Sequence, residues 1–500
     1  MYGLKPHTIQ AIQNVFAKYS NIEKAILYGS RAKGNYRNGS DIDLTLVGKN
    51  LTLSEQFSIE TELDDLLLPY KIDLSIYYKI ENQDLIDHID RVGIVFYENE
   101  SKDWEEVLIG EYIDLISGYA FKSKNFLENQ IEGSLPVLKI KNVANGDVHL
   151  NGVQYHYYDD SLDKFVIEKG DILIAMTGNH PQAQSQVVGD VSRYRLKGKA
   201  LLNQRVGKIV CFDTINEDFT YYFFKDDATH KYLANQSSGS ANQANISKKN
   251  ILEVPVNLPP LKEQQAIAEV LSSLDAKIDL LHRQNQTLEA LAETLFRQWF
   301  VEEADENWGI SKIGDEVKTV LGGTPSTKKK EYWDGDIPWI NSGEVNKFRI
   351  LNGTKFITEL GLRKSNTKLL PKGTTVLAIT GATLGQTSML EIDTCANQSV
   401  VGVIPNEIFP KEFIFLWIKL KIEEIILNET GGAQPHINKN DVNETEIIVP
   451  DSDYMNKAME TISPMFKKIT NNSLQIETLK KQRDTLLPKL MSGEVRVKIN

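Results

Sequence analysis

The chain has 500 residues, of which 41% are hydrophobic and 25% are charged, values typical of a globular protein with about three domains. The formal net charge of −12 argues against a surface that binds nucleic acid all over, although a local basic groove is compatible with it. The longest apolar run, FIFLWI at 413–418, is too short to cross a membrane, and two cysteines are too few for a disulfide framework, so we expect a cytoplasmic protein with no membrane partner.

Residues 1–98 are predicted to form a compact α/β domain. PHTIQAIQNVFAKYS has the apolar spacing of a helix, with Ile12 and Phe16 on the buried stripe. KAILYG is a short buried strand that ends in glycine, and DIDLTLV and KIDLSIYY are two further strands. IVFYENESKDWEEV then changes from apolar to acidic, which places a linker at 99–107.

The rest of the chain repeats itself. Segments of the first half have counterparts in the second half in the same order and at similar offsets, which indicates a duplicated unit. The matching pairs are LIGEYIDLISGYAF (108–121) with KIGDEVKTVLGGTP (312–325), VIEKGDILIAMTG (166–178) with LLPKGTTVLAITG (369–381), LNQRVGKIV (202–210) with ANQSVVGVI (396–404), and ANISKKNILEVPVNLP (244–259) with PHINKNDVNETEIIVP (435–450). The two repeats are placed at 108–259 and 302–451.

Each repeat is followed by a long predicted helix, at 260–301 and 452–497. Apolar residues of the first helix are spaced alternately four and three apart, as in a coiled-coil seam, and Asn285 falls at an a position of that seam. A buried asparagine at such a position fixes the register of the pairing at a cost in stability. The alternative is two ordinary amphipathic helices, each packed on its own domain.

The segment LYGSRAKGNYRNGSDIDL, at residues 27–44, has the features of a catalytic site. A strand-to-helix turn at Gly29 and Ser30 would direct backbone N–H groups towards a phosphate. Asp41 and Asp43 leave the same face of one strand, and Asp73 lies on a strand that could pair beside it. Three such carboxylates would repel one another unless a cation joined them, and ligands made only of oxygen suit Mg²⁺.

This order of motifs resembles the minimal nucleotidyltransferase family, a branch of the polymerase-β-like superfamily, over about residues 5–98. The resemblance implies Mg²⁺-dependent transfer of a nucleoside monophosphate from an NTP. Asp73 is the candidate to help deprotonate the acceptor hydroxyl, and Arg31 and Lys33 are candidates to neutralise the triphosphate. Many such domains are the antitoxin partner of an RNase-like toxin. A solvent-facing acidic strand and an inactive copy of the enzyme are the alternatives.

The duplicated part contains no motif of a nucleotide motor or of an adenine methyltransferase. It resembles instead the specificity subunit of type I restriction-modification systems over about residues 105–497. The residues that carry this resemblance are LPPLKEQQAIAEVLSSLDAKIDLLHRQNQTLEALAETLFRQWF (258–300), LKKQRDTLLPKLMSGEVRV (479–497), and the phrases KGDILIAMTG, SSGSANQANISK and GGAQPHINKND.

The two resemblances together imply an α+β multidomain chain. A small α/β nucleotidyltransferase domain would precede two mixed α/β target-recognition domains, whose long helices would pair as an antiparallel coiled coil. The implied partners are double-stranded DNA, two methyltransferase (M) subunits docked on the helices, and a motor-nuclease (R) subunit. S-adenosylmethionine would belong to the methyltransferase partners. Because the repeats differ in sequence, the two half-sites they read should differ as well.

Two polar loops are candidates for DNA contacts. Amide side chains can read adenine edges, and lysines can hold phosphates, although such loops are more often solvated turns. The candidates are Asn179, Gln182, Gln184 and Gln186 in TGNHPQAQSQ, and Lys328, Lys329 and Lys330 in TPSTKKKEYW.

Three functions are therefore weighed. The preferred one is a DNA-specificity subunit fused to a nucleotidyltransferase domain of unknown target. In the second, the enzyme is primary, an antitoxin-like protein or an RNA-nucleotidylating enzyme, and the repeats carry it to its target. In the third, the chain is a binding scaffold with an inert front domain.

Overall fold

The described part of the chain excludes some short segments. The computed structural model describes residues 2–19, 21–37, 39–48, 51–98, 104–143, 146–178, 188–240, 243–427 and 437–497. The chain divides into a first compact unit, Met1–Glu269 with Leu487–Asn500, and a second compact unit, Val270–Leu486. Among the described residues, no helix is both long and apolar enough to cross a membrane.

The N-terminal domain is a mixed sheet with helices packed on it. Its elements are α1 (Pro6–Phe16), β1 (Lys24–Leu27), α2 (Gly29–Lys33), β2 (Ile42–Val47), α3 (Leu53–Asp64), β3 (Ile72–Ile76), α4 (Gln83–Val92) and β4 (Ile94–Glu98). The strand order is β3-β2-β1-β4, and β3 and β2 are parallel. Ile12 and Phe16 of α1 and Ile59 of α3 share a core with Ile42 and Leu44 of β2. The predicted helix and the three predicted strands are thus confirmed.

The first repeat is built from two main sheets and ends in a long helix. Its elements are β5 (Glu105–Leu108), β6 (Ile113–Ser117), β7 (Ser134–Leu138), α5 (Ile140–Val143), β8 (Gln154–Tyr157), β9 (Val166–Ile167), β10 (Ile172–Ala175), β11 (Thr177–Gly178), β12 (Val191–Arg193), β13 (Ala200–Leu202), β14 (Val206–Cys211), α6 (Glu217–Lys225), α7 (Asp227–Asn235), β15 (Ser238–Ser240), β16 (Gln243–Asn245), α8 (Lys248–Leu252), β17 (Pro255–Leu258) and α9 (Leu261–Arg297). The main sheets have the orders β12-β10-β14-β6 and β8-β7-β13-β9.

The second repeat has the corresponding elements. They are β18 (Gly309–Lys312), α10 (Ile313–Glu316), β19 (Lys318–Leu321), β20 (Trp333–Ile340), β21 (Arg349–Ile350), β22 (Lys355–Ile357), α11 (Glu359–Arg363), β23 (Leu369–Leu370), β24 (Thr375–Ala378), β25 (Thr387–Leu390), β26 (Thr394–Ala396), β27 (Val400–Ile404), α12 (Lys411–Leu427), α13 (Lys439–Glu444), β28 (Glu446–Val449) and α14 (Ser452–Met491). The main sheets have the orders β19-β27-β24-β25-β21 and β22-β20-β26-β23.

The two repeats share one topology. The order β6-β14-β10-β12 of the first repeat matches β19-β27-β24-β25 of the second, and β8-β7-β13-β9 matches β22-β20-β26-β23. Within these sheets β7 pairs with β13 in parallel, and β20 pairs with β26 in parallel. The duplication inferred from the sequence is therefore also a duplication of the fold.

The predicted linker is partly a strand. Residues 105–107, placed in the linker at 99–107, belong to β5, which pairs antiparallel with β17 at the end of the first repeat. In the second repeat β18 pairs with β28 in the same way. The acidic sequence conceals this strand because it pairs through backbone groups and leaves Glu105 and Glu106 exposed to solvent.

The long helices have nearly the predicted limits. α9 ends at Arg297 and is followed by π-helical turns over Gln298–Glu302, so the first helix continues as predicted but with a wider last turn. α14 begins at Ser452 as predicted but ends at Met491, six residues before the predicted limit of 497. Within the second unit, Ile278 and Leu281 of α9 form a buried cluster with Ile476 of α14.

Candidate functional site

The predicted phosphate-binding turn is in close contact with a carboxylate. Gly29 opens α2 with a φ of +70°, and a Cβ atom at this position would lie 2.1 Å from Oδ2 of Asp43. The backbone N–H of Tyr28 donates to the carbonyl oxygen of Asp43 at 3.0 Å. Only glycine therefore fits beside this strand, both by conformation and by space. Ser30 lies half-buried in the same turn, and Lys33 is exposed at the end of α2.

The three predicted aspartates lie on neighbouring strands. Asp43 and Asp73 are directly paired in the parallel register of β2 and β3, and Asp41 precedes β2 by one residue. Burial raises the pKa of Asp43, and the charges of Asp73 and Asp41 raise it further. Nζ of Lys71 lies 2.6 Å from Oδ1 of Asp73, and this hydrogen bond raises the pKa of Lys71. A lysine thus provides the positive charge that this acidic group requires.

The acidic group suits a hard cation by its chemistry, but its side chains do not surround one. No set of three or more His, Cys, Asp and Glu side chains in the described part of the chain is arranged to hold a metal. The donors are oxygens only, they repel one another, and the absence of a Cβ on Gly29 lets the Asp43 carboxylate lie against the turn. These properties fit Mg²⁺, and the predicted metal role of Asp41, Asp43 and Asp73 stays a prediction.

Arg31 is buried and holds the segment that leads into β2. Its guanidinium is 2% exposed, and its Nε and Nη atoms donate to the carbonyl oxygens of Tyr2 at 3.0 Å, Asp41 at 3.0 Å and Ser40 at 2.5 Å. It also lies 4.8 Å from the ring centre of Tyr70. The contact of Arg31 with a triphosphate stays a prediction. Such a contact would require Arg31 to give up its hydrogen bonds to these carbonyl oxygens.

A polar layer joins the two long helices within the second unit. Asn285 is 2% exposed, its Nδ2 donates to Oγ of Ser473 at 3.2 Å, and its Oδ1 accepts from Nδ2 of Asn472 at 2.9 Å. Asp275 lies ten residues before Asn285 in α9, and it accepts a hydrogen bond at 2.7 Å from Arg483. Arg483 lies after Asn472 and Ser473 in α14. Partners that run in opposite directions along the two helices show that these segments are antiparallel. The role of Asn285 in fixing register stays a prediction.

The three predicted lysines of the second repeat differ in their surroundings. Nζ of Lys329 lies 3.0 Å from the hydroxyl of Tyr332, and Lys328 and Lys330 are exposed. Lys329 lines a polar pocket of about 600 Å³, whereas Lys328 and Lys330 are not among its lining residues. The amide candidates of the first repeat, Asn179, Gln182, Gln184 and Gln186, lie outside the described residues.

The duplicated topology and the antiparallel helices agree with a comparison to known families. The model of the type I restriction modification DNA specificity domain matches residues 101–290 and 305–481, which is more than half of the chain. The chain belongs to the type I restriction-modification specificity family. Both repeats, together with most of each long helix, fall within these matches.

Known specificity subunits are similar over most of their length. The MjaIX type I restriction enzyme specificity subunit of Methanocaldococcus jannaschii is 27% identical over 396 residues, which are 73% of this chain and 90% of that protein. The HindI specificity subunit of Haemophilus influenzae is 24% identical over 66% of this chain and 88% of that protein. The crystal structure of an S subunit from M. genitalium has the same fold over 80% of this chain and 98% of that one, with 18% identity and a TM-score of 0.50.

The N-terminal domain matches the model of a different family. The polymerase beta nucleotidyltransferase model matches residues 10–102, which include every residue of the predicted phosphate turn and all three aspartates. The chain therefore joins a nucleotidyltransferase-like domain to a specificity subunit.

Two sets of contacts were not predicted from the sequence. Ser473 occupies the position missing between Ile469 and Ile476 in the apolar stripe of α14, so the broken four-three spacing could have indicated a partner for Asn285. The buried carboxylate of Glu263 accepts two bonds from Arg496, at 2.5 Å and 2.7 Å, and one from Nε1 of Trp104 at 3.2 Å. No local pattern indicates this second contact, because its members are far apart in sequence.

Proposed function

We propose that this chain is the DNA-reading subunit of a type I restriction-modification complex and that each repeat contacts one half of a bipartite site. The observation that carries the proposal is the duplicated topology within a chain of the specificity family. Duplicated readers suit two half-sites spaced along a duplex. Since the side chains of the repeats differ, the target need not be palindromic.

The long helices act in this proposal as a spacer, paired as an antiparallel coiled coil. The apolar cluster of Ile278, Leu281 and Ile476 and the polar layer at Asn285 support such a seam. Apolar burial supplies the stability of a coiled coil, whereas a polar layer selects one register among several. A fixed register would fix the distance between the two readers.

Catalysis of methylation and cleavage belongs to partner subunits in this proposal. Two methyltransferase subunits would dock on the helices, S-adenosylmethionine would bind to those subunits, and a motor-nuclease subunit would complete the complex. The support is that the relatives are specificity subunits of type I restriction enzymes. Adjacent genes for a methyltransferase and a motor nuclease would agree with this assembly, whereas a lone toxin gene would favour the enzyme-primary alternative.

The test is copurification of the tagged full chain from its host, followed by sequencing of methylated DNA. We expect methyltransferase subunits in the preparation and one bipartite methylated motif in the genome. Replacing residues 108–257 by the matching segment of a relative should change one half-site and leave the other unchanged. Replacing the matching part of the second repeat is the reciprocal control. A change of both half-sites in either chimera would contradict the assignment of one repeat to one half-site.

For the N-terminal domain we propose Mg²⁺-dependent nucleotidyl transfer from an NTP to an unknown acceptor. Asp41, Asp43 and Asp73 would hold the cation, which when bound would stabilise charge on the reacting phosphate oxygens. Gly29, with no Cβ, lets the turn lie directly against the Asp43 carboxylate, and the N–H groups of such a turn would donate to a phosphate held there. Asp73 would accept the proton of an acceptor hydroxyl, and Lys71, whose Nζ lies 2.6 Å from Oδ1 of Asp73, would have to move away first.

This second activity is tested with labelled NTPs on the copurified complex. Label on a partner subunit, on RNA or on an added protein would identify the acceptor class. Label that depends on Asp43 in a preparation with no DNA methylation would favour the alternative in which the repeats deliver an enzyme to its target. Absence of label under all four NTPs would favour the inert front domain.

A further inference from the structure

We propose that the polar pocket of the second repeat holds a DNA phosphodiester and reads the neighbouring base, with Lys329 and Lys364 as phosphate ligands and Gln398 as the base reader. This inference rests on the proposed DNA-reading function and assigns it to particular atoms. The lining of this pocket of about 600 Å³ includes Gly322, Gly323, Thr324, Lys329, Lys364 and Gln398.

The charge of the pocket is opposite to that of the chain. Its lining includes two lysines and neither an aspartate nor a glutamate, whereas the whole chain has a net charge of −12. A polar pocket of the first repeat is, by contrast, lined by Asp163, Glu168 and Asp171 together with lysines. An anionic ligand is therefore favoured in the second repeat's pocket. Phosphodiesters are the anions that line both strands of DNA, so a DNA-reading protein meets them at every site.

Glycines form the floor of the pocket for steric reasons. A Cβ atom on Gly322 would lie 2.1 Å from the carbonyl oxygen of Asn397, and one on Gly323 would lie 2.7 Å from the backbone of Asn366 and Thr367. Backbone atoms cannot move aside as a flexible side chain can. The floor is thus fixed, and only the side chains around it set what the pocket accepts.

Gln398 is oriented by Thr324, another residue that lines the pocket. The hydroxyl of Thr324 donates to Oε1 of Gln398 at 2.5 Å, and Gln398 is exposed. This bond uses one lone pair of Oε1 and leaves the second lone pair and both N–H groups of Nε2. An acceptor and a donor side by side are what the N6 amino group and N7 of adenine require. Thr324 is therefore a positioning residue in this proposal.

The lysines lie where a phosphate beside that base could be held. Lys329 is kept in place by the hydroxyl and the ring of Tyr332, whose centre is 4.9 Å from Nζ. Lys364 and Asn366 are exposed on the segment that crosses the pocket floor. Lysines and a short polar side chain positioned in this way can bind one phosphate without reading sequence.

The first repeat shares this backbone approach and also the glutamine, because Gln204 aligns with Gln398, whereas other side chains around it differ. A Cβ atom on Gly118 would lie 2.1 Å from the carbonyl oxygen of Asn203, the same close approach as that of Gly322 to Asn397. In the first repeat, however, Arg205 donates to Asn245 at 3.0 Å, and Tyr119 packs on aromatic rings. The glutamine is thus common to both repeats, and the side chains around it are what would distinguish the two half-sites.

The phosphate role is tested by DNA binding of the full chain in complex with its methyltransferase subunits. The probes are two duplexes of equal length, one with the methylated motif of the host and one with that motif scrambled. Lys364→Ala and Lys329→Ala should each weaken binding to both duplexes and reduce the slope of log affinity against log salt by about one. Lys368→Ala, which removes an exposed lysine outside the pocket lining, should leave the slope unchanged.

The reading role is tested by sequencing methylated DNA in cells that carry Gln398→Ala. We expect one position of the second half-site to become degenerate, with discrimination there falling about 5- to 150-fold and the first half-site unchanged. Thr324→Val should relax the same position to a smaller extent. Thr324→Ser keeps the hydroxyl and should therefore retain the motif. If Thr324 had only a structural role, the motif would not depend on whether this hydroxyl is present.

The outcomes separate the two proposals. If the unmodified complex yields no bipartite motif, the proposed DNA-reading function fails. If it yields a motif, but Lys364→Ala keeps the salt slope and Gln398→Ala keeps both half-sites, the pocket is not the reading site. Degeneracy confined to the first half-site after Gln398→Ala would overturn the proposal equally.

Discussion

Asn285 offers the sharpest test of the contact between the two helices. Asn285→Ala removes its bond to Ser473 at 3.2 Å and its bond from Asn472 at 2.9 Å. Each bond contributes about 1 kcal/mol, and the buried amide of Asn472 keeps only the longer contact with Gln284, at 3.4 Å, which adds about 1 kcal/mol more. We expect α9 and α14 to lose about 2–3 kcal/mol of local stability.

The assay is hydrogen exchange of backbone amides in the full chain, because a chain with several domains has no single unfolding transition. A loss of 2–3 kcal/mol corresponds to exchange that is about 30- to 150-fold faster around residues 275–290. Gln286→Ala, at the exposed neighbour of Asn285, is the control and should change exchange less than about threefold. Equal effects of the two variants would refute the buried polar layer.

A double-mutant cycle shows whether the effect belongs to the pair. Asn285→Ala and Asn472→Ala remove the same bond, so the double variant should cost about 1 kcal/mol less than the sum of the single variants. Strict additivity would mean that the two amides do not interact. Leucine at both positions should restore stability but allow other registers, because apolar contacts do not specify one.

Three further outcomes are expected. Asp41→Asn with Asp43→Asn should lower Mg²⁺-dependent nucleotide transfer about a hundredfold or more and leave DNA methylation intact, and loss of both activities in a folded protein would contradict separable domains. A heptad inserted after Leu274, with a matching heptad in α14, lengthens each helix by about 10 Å, so methylome sequencing should show unchanged half-sites and a gap longer by up to about three base pairs. The Asp190 carboxylate, 3.1 Å from Nε2 of His230, raises the pKa of that imidazole, so the pair's contribution of about 1 kcal/mol is complete below about pH 6.5 and is lost as pH rises through the raised value. Hydrogen exchange of the backbone amides around His230, corrected for the intrinsic rate at each pH, should therefore show a larger difference between the unmodified protein and His230→Asn at pH 6 than at pH 9, and an equal difference at both would contradict the charged pair.

Much of the architecture is encoded in local patterns. The apolar spacing of Ile12 and Phe16 predicted α1, and the alternation in DIDLTLV predicted β2, since each pattern depends on residues a few positions apart. The duplication was readable because both copies retain the same phrases in the same order. The sequence also predicted that the strands carrying Asp43 and Asp73 could pair, and β2 and β3 do pair at these residues, whereas the catalytic and metal roles of the aspartates stay predictions.

Which distant groups meet could be decided only by the tertiary structure. The sequence suggests that Arg31 is a cation available to a phosphate. In the fold, however, its guanidinium donates to three backbone carbonyl oxygens. The sequence around Gln398 does not indicate that Thr324 donates a hydrogen bond to it, and the sequence around Asn285 does not indicate that Asn472 is its partner. The helices and strands can be predicted from local periodicity because that periodicity depends only on residues a few positions apart. The partners of buried polar groups depend instead on how those elements pack, and a single sequence does not specify that pairing by its local spacing.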